Sequence, residues 1–133
     1  MATIGNARNF ALLTTGVGYI SRIREIEPAA GLPFLAVTLS ALRGLDESVR
    51  YTYVDCRVTG RSTNAYIRQL APHVEQGDKV LVRFRLNDLY AETFTYRHGS
   101  KEGQTGVNLK ARLVGIDWAR VNGVAVTEIE DAA

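Results

Sequence analysis

The sequence predicts an all-β protein that contains one helix, and three observations lead to this fold class. Most of the 133 residues alternate between apolar and polar side chains with a period of two, which is typical of strands. Residues 63–74 instead show the i, i+3, i+4 spacing of one helix. Three strand segments precede this helix and two follow it, so the predicted order is three strands, helix, two strands.

The three strand segments before the helix cover residues 12–26, 34–42 and 49–59. Gly16 and Gly18 interrupt the first segment, and we interpret them as a bulge. In the other two segments the alternation is regular and separates a core face from an outward face. The predicted core residues are Leu35, Val37, Leu39 and Ala41 in the second strand, and Thr52, Val54, Cys56 and Val58 in the third.

The helix and the last two strands complete the predicted fold. Ser62 or Thr63 is expected to cap the helix by accepting a hydrogen bond from a free backbone N–H. The fourth strand covers residues 79–87 and the fifth 108–118, with a glycine-rich loop at 98–106 between them and a short hairpin at 122–129 after them. The predicted core residues are Ala65, Tyr66, Gln69, Leu70 and Val74 in the helix, Val80, Val82, Phe84 and Leu86 in the fourth strand, and Leu109, Ala111 and Leu113 in the fifth.

A five-stranded barrel with its helix between the third and fourth strands is the layout of the OB fold. We therefore predict one OB-fold domain over residues 10–129, with another small β fold as the alternative. Residues 1–9 are expected to form a mobile N-terminal segment, and residues 130–133 a short acidic tip.

The cysteine count, the lengths of apolar runs and the charge limit which classes of protein the sequence fits. The single cysteine, Cys56, allows no intramolecular disulfide, and no apolar run approaches the roughly 20 residues of a membrane helix. Residues 1–9 lack a signal-peptide pattern, so we expect a cytoplasmic protein without a membrane partner. The net charge is only +2, but residues 79–112 contain seven Lys or Arg and three Asp or Glu, a local balance of +4.

The outward faces carry the side chains that a single-stranded nucleic acid requires. Such a strand is held by cations that contact its phosphates and by aromatic rings on which its bases stack. We expect the strand to cross a face that carries Tyr53, Arg57 and neighbouring residues, while the basic loop 98–106 closes over it. The predicted nucleic-acid-binding residues are Phe34, Tyr51, Tyr53, Arg57, Arg83, Arg85, Tyr90, Phe94, Tyr96, Lys101, Lys110 and Arg112.

Two other functions remain open from the residues. Tyr51 and Tyr53 could pack under a loop or in a subunit interface, which would make the domain a protein-interaction or assembly module of a replication complex. The same outward face could bind RNA, because base stacking and phosphate contact are common to both nucleic acids.

Catalysis is not expected from this sequence. His73 and His98 lie far apart along the chain, and no His/Cys/Asp/Glu group has the spacing of metal ligands. Cys56 falls on the apolar face of a strand, where a small core residue is more common than a nucleophile. We therefore predict no enzyme activity, no metal and no cofactor.

Several motifs resemble those of bacterial single-stranded DNA-binding proteins, and their order spans residues 13–117 in outline. The run Val17-Gly18-Tyr19-Ile20 is similar to that family's first strand. The run Tyr53-Val54-Asp55-Cys56-Arg57-Val58-Thr59-Gly60 is similar to its third strand, which begins with an aromatic residue and ends with glycine. The resemblance implies an OB fold, binding of single-stranded DNA without sequence specificity, and a homo-dimer or homo-tetramer.

The chain is more similar still to small replication proteins carried by integrative and conjugative elements. This resemblance rests on Thr14-Thr15-Gly16-Val17-Gly18-Tyr19, on Asp88-Leu89-Tyr90 with Thr93-Phe94-Thr95-Tyr96, and on Gly106-Val107-Asn108-Leu109-Lys110-Ala111-Arg112-Leu113. It implies a role in the replication, transfer or recombination of a mobile genetic element, together with replication or recombination proteins.

The chain also departs from the wider family. That family ends in a long tail with an acidic, phenylalanine-terminated tip, whereas residues 128–133 are acidic but short and contain no aromatic residue. The family's base-stacking tryptophans are not matched either. Tyr53 matches one aromatic position, and Tyr90 lies close to another.

Overall fold

The computed structural model describes residues 10–127, which form six strands and one α-helix. The helix α1 (Arg61–Glu75) follows the third strand, as predicted, and the mostly β fold with one helix is confirmed. A short 3-10 turn, Asp46–Ser48, lies between the second and third strands. The predicted N-terminal segment (residues 1–9) and the predicted acidic tip (residues 130–133) lie outside the described residues. The strands are β1 (Leu13–Ile26), β2 (Phe34–Arg43), β3 (Arg50–Val58), β4 (Val80–Thr95), β5 (Thr105–Val121) and β6 (Val124–Val126).

The sheet closes on itself. Its strand order is β3-β2-β1-β4-β5-β6, and β3 also pairs with β5, so five strands form a ring. The closing pair is parallel and runs from Val54↔Leu109 to Val58↔Leu113, whereas all other strand pairs are antiparallel. The Leu113 carbonyl also accepts a hydrogen bond from the Thr59 N–H at 3.0 Å, which extends the closure by one residue.

The core fills the inside of this ring, and α1 covers it by packing against β5, β1 and β4. Period-two alternation places the predicted faces of β2, β3 and β4 inward. Ile67 was not among the predicted core residues but is fully buried, because the apolar stripe of α1 is wider than the predicted one. Buried core residues include Leu35, Val37, Leu39, Val54, Cys56, Val58, Tyr66, Leu70, Val80, Val82, Phe84, Leu86, Ala111 and Leu113.

The start of α1 differs from the prediction. No side chain caps the helix. It begins after Gly60, whose backbone has a positive φ of 91° that glycine adopts without strain. The Gly60 carbonyl accepts the Asn64 backbone N–H at 3.0 Å and the Asn64 side-chain amide at 2.7 Å. The Thr63 hydroxyl is turned to β5 instead, where it donates to the Val114 carbonyl at 3.1 Å. Thr63 therefore fixes the helix to the sheet rather than capping it.

The bulge of β1 does not lie at its glycines. Gly16 and Gly18 pair regularly with β4, and the irregularity falls between Ser21 and Arg24, where Arg22 has a φ of 51°. The glycines serve close packing instead. A Cβ at Gly18 would lie 2.6 Å from the Ser40 carbonyl oxygen, a contact that a backbone atom cannot relieve.

The last two long strands extend past the ring as a two-stranded arm. From Glu92↔Asn108 to Thr95↔Thr105 they pair only with each other, and we call residues 92–108 the arm. The sequence predicted that the fourth strand ends at residue 87 and that the fifth begins at residue 108. Both predicted strands were therefore too short, and they omitted most of the arm. After the arm, β5 turns at 122–123 into β6, which confirms the predicted hairpin over 124–126, while residues 128–129 lie outside the described part.

No helix within residues 10–127 combines the length and the apolar character that crossing a lipid bilayer requires.

The Cys56 thiol is enclosed in the core, as predicted. Burial, and then the negative charge of Asp55, raise its pKa to about 12 from 9.0. Because thiolate is the reactive form, we expect Cys56 to resist a thiol reagent at pH 8 in the folded protein and to react at once in denaturant. The native state also retains the proton more tightly than the unfolded chain, so ionisation of Cys56 should favour unfolding as the pH rises from about 9 toward 12. Rapid labelling of the folded protein at pH 8 would contradict this burial.

Candidate nucleic-acid interface

Two adjacent cavities lie on the outward side of the ring where β2, β3 and β5 are neighbours, and we call them together the groove. Each has a volume of about 480 Å³, within the size range of small-ligand sites, and Asp55 borders both. We call them the cationic half and the tyrosine half. The cationic half is lined by Phe34, Arg57, Tyr90, Lys110 and Arg112, and the tyrosine half by Arg22, Thr38, Tyr53 and Asn108, among others.

Strand alternation and register assemble the floor of this groove. Cys56 points into the core, so Asp55 and Arg57 on either side of it face outward. The parallel pairing of β3 with β5 then places Lys110 opposite Asp55 and Arg112 opposite Arg57. Residues more than fifty positions apart in sequence thereby share one surface.

Arg57 stacks on an aromatic ring in the cationic half. Its guanidinium carbon lies 4.1 Å from the centre of the half-buried Phe34 ring, within the range of a cation–π contact. Within residues 10–127 no carboxylate forms an ion pair with Arg57. The ring holds the guanidinium plane while its N–H donors are left for an anion.

The other two predicted cations of this half have acidic partners. Arg112 contacts one Asp88 oxygen through Nε at 2.9 Å and through Nη2 at 2.7 Å, and Lys110 lies 3.4 Å from Glu92. Asp88 adopts a left-handed φ of 60° at the irregularity in β4, beside Arg112. Exposed pairs of this kind contribute about 0–1 kcal/mol, so a phosphate can compete for these cations.

The predicted tyrosines of β3 are exposed in this chain. Tyr53 is 63% exposed and Tyr51 43%, and their ring centres lie 6.4 Å apart at an interplanar angle of 25°. No loop within residues 10–127 covers them, which removes one of the two alternatives for their packing. A ring in this position offers an open face to a base.

The aromatic residues of the arm form a small cluster of their own. Phe94 and Tyr96 meet edge to face at 4.8 Å and pack over Gly106, which has no side chain to keep them apart. The Lys101 ammonium lies 5.5 Å from the centre of the Tyr96 ring. Phe94, Tyr96 and Lys101 therefore lie together near the tip of the arm, and none of the three lines either half of the groove.

The structure does not bring Arg83 and Arg85 to the groove. Arg83 lies between Val17 and Trp118, and Arg85 forms an ion pair with Asp117 at 3.0 Å. Along β5, Trp118 is six residues beyond Arg112, or about 20 Å at the rise of a strand. Side chains that all point outward from the sheet lie on different sides of the molecule, because the sheet closes into a ring.

Arg24 lines the cationic half but was not predicted. Strict alternation from the buried Ile20 would turn Arg22 and Arg24 into the core, where unpaired charges are costly. The irregularity at Arg22 reverses this parity and places Arg24 opposite Ala36 on the outward face. Two arginines at consecutive core positions were the signal in the sequence that could have located the bulge.

Residues 10–127 contain no group of three or more His, Cys, Asp or Glu side chains that could hold a metal ion. His73 lies 3.4 Å from Asp78 at the end of α1, on a different element from every residue of the groove.

A family model described as "Protein of unknown function (DUF3577)" matches residues 3–133. The chain belongs to this family. No curated protein and no solved structure matches it. The description of the DUF3577 family states no ligand or activity, so the geometry of the groove is what bears on the function of this DUF3577 protein.

Proposed function

We propose that the chain is an OB-fold protein that binds single-stranded DNA along the groove. The closed ring of five strands, with α1 between β3 and β4, supports assignment to the OB fold. In that fold oligonucleotides bind on the face of strands 2 and 3 and against the loops after strands 1 and 4. The groove occupies the β2–β3 face, and the arm extends from β4 and β5.

The observation that carries this proposal is the pairing of an open aromatic ring with an arginine on the same strand. Tyr53 presents a ring that is 63% exposed, and Arg57, four residues along β3, presents donors held in place by Phe34. Stacking supplies about 1–3 kcal/mol per base whatever its identity, and arginine contacts phosphate through several N–H groups. This combination suits a single strand, since the bases of a duplex are already stacked on each other.

The resemblance to single-stranded DNA-binding proteins and to replication proteins of integrative and conjugative elements extends the proposal. We infer a role in replication, transfer or recombination of a mobile element, as a binding protein rather than an enzyme. A homo-oligomer belongs to the same proposal. Phe10, Leu12 and Leu13 are 95%, 59% and 57% exposed at the start of β1, where a second subunit could cover them.

The experiment that tests the groove compares Arg57→Ala with Arg83→Ala. Each variant removes one exposed arginine from an outward position of the sheet, so the two are matched in charge. Affinity for fluorescent oligothymidine is measured between about 50 and 200 mM salt, where each phosphate contact contributes about 0.7 to the log–log slope.

We expect Arg57→Ala to reduce the slope by about 0.7 and Arg83→Ala to leave it unchanged. The reverse result would move the strand to the opposite side of the ring. The same titration with oligouridine distinguishes DNA from RNA as the preferred ligand. If the protein binds neither nucleic acid but forms a stable complex with itself or with another protein, the alternative function as a protein-interaction module would be favoured.

A further inference from the structure

Asp55 is an acidic side chain at the centre of a surface otherwise suited to a polyanion. It borders both halves of the groove, and Lys110 lies opposite it and Arg57 two residues along the strand. Yet neither cation pairs with it, since Lys110 turns to Glu92 and Arg57 to the Phe34 ring. A carboxylate here opposes contact with a phosphate, but it can accept a hydrogen bond from another part of a nucleotide.

The carboxylate of Asp55 is oriented and partly free. One oxygen, Oδ1, accepts a hydrogen bond from the Thr38 hydroxyl at 3.1 Å across β2 and β3. No other hydrogen bond or ion pair joins Asp55 to residues 10–127, so Oδ2 has no partner there. The side chain is half-buried, which limits how far water can screen it.

The neighbours of Asp55 determine which part of a nucleotide meets it. Tyr53 and Arg57 lie two residues before and after it on the same outward face. A base stacked on Tyr53, with its phosphate drawn toward Arg57, would direct its hydrogen-bonding edge to the strand floor between them. In single strands that edge is free to be read.

We propose that Asp55 is a base-discriminating residue, which accepts hydrogen bonds from the Watson–Crick edge of one nucleotide and favours guanine over thymine. This inference rests on the proposed binding of single strands and adds one base-selective position to it. Guanine presents two adjacent donors, N1–H and the N2 amino group, to a carboxylate. Thymine presents one N–H between two carbonyl oxygens, which repel the carboxylate.

The test measures a ratio of affinities rather than an affinity. The ligands are fluorescent oligothymidines of about 15 nucleotides, near the upper end of the roughly 4–16 covered by an OB fold. One is unsubstituted, one carries isolated guanines that cannot form quadruplexes, and one carries inosine at the same positions. Inosine lacks the N2 amino group and therefore removes one of the two donors.

The wild-type protein should bind the guanine oligonucleotide about fivefold or more tightly than oligothymidine, with inosine intermediate. Asp55→Asn keeps the size of the side chain and an oxygen for the Thr38 hydroxyl, so it should fold normally. It should reduce the ratio to about twofold or less, because an NH₂ group, which is a donor, replaces one of the two carboxylate oxygens and opposes the guanine donors.

Asp88→Asn is the matched control, since it removes one negative charge from the same groove. It should raise affinity for all three ligands and leave their ratio unchanged. Equal affinities in the wild type, or a ratio that survives Asp55→Asn, would overturn the role of Asp55 while leaving single-strand binding intact. Absence of binding to every oligonucleotide would instead refute the proposed function, and this inference with it.

Discussion

Tyr53→Ala is expected to weaken binding of single-stranded DNA by about 1–3 kcal/mol, or roughly 5- to 150-fold in Kd. The ring is 63% exposed, lies in the tyrosine half of the groove and offers a face on which a base can stack. Truncation removes that platform but leaves Arg57 and its phosphate contact in place. The affinity should therefore fall while the salt slope remains the same.

Tyr53→Phe is the control for this experiment. It retains the ring, so it should bind within about twofold of the wild type if stacking is the main contribution. Because Tyr53 is exposed, neither change should alter the free energy of unfolding by more than about 0.5 kcal/mol. Binding that is unaffected by Tyr53→Ala would exclude the tyrosine half from the path of the strand.

Leu113→Ala is expected to destabilise the fold by about 2–5 kcal/mol. Leu113 is completely buried on β5, where it pairs with Val58 on one side and Leu86 on the other, at the point where the ring closes. The substitution leaves a cavity between β3 and β4 that the closed sheet has little freedom to fill. Chemical denaturation followed by tryptophan fluorescence of Trp118 measures the loss.

Thr105→Ala is the matched control for Leu113, because Thr105 lies on the same strand but is exposed near the tip of the arm. It should change the free energy of unfolding by no more than about 0.5 kcal/mol. A Leu113→Ala loss as small as that of the control would mean that β3 and β5 do not close the core together.

Much of the fold was predictable because one physical signal repeats along the chain. In β2 the buried residues Val37 and Leu39 follow a strict period of two, as do Val54 and Cys56 in β3. Shifting such a strand by one residue would move all of its apolar side chains from the core to the solvent. The alternation therefore determines which face of each strand is buried. The position of α1 followed from the change to a 3.6-residue period.

The bulge and the arm could not be predicted in the same way. Gly16 and Gly18 have the residue type of a bulge, but they are required because Phe84 and the β2 backbone approach too closely for a side chain. The bulge lies at Arg22. Its only sign in the sequence is that regular alternation would place the charged side chains of Arg22 and Arg24 in the core. No residue of the arm is fully buried, so no core-facing side chains mark where its two strands end.

The predicted binding residues divide for a topological reason. Arg57 and Arg83 both face outward, and sequence alone gives no reason to separate them. Closure of β3 onto β5 brings Arg57 next to Arg112, while Arg83 remains beside Trp118 on another side. The parallel pairing that decides this joins segments more than fifty residues apart, and no local pattern specifies it.

The central claim, that this protein binds single strands, is tested most directly by titration of a fluorescent oligothymidine of about 35 nucleotides, which exceeds the roughly 4–16 covered by one OB fold. Duplex DNA of equal length serves as the control, and both are measured at several salt concentrations. We predict tight binding to the single strand that weakens as salt rises, and weak binding to the duplex. Equal binding to both, or no binding to the single strand even at low salt, would contradict the account.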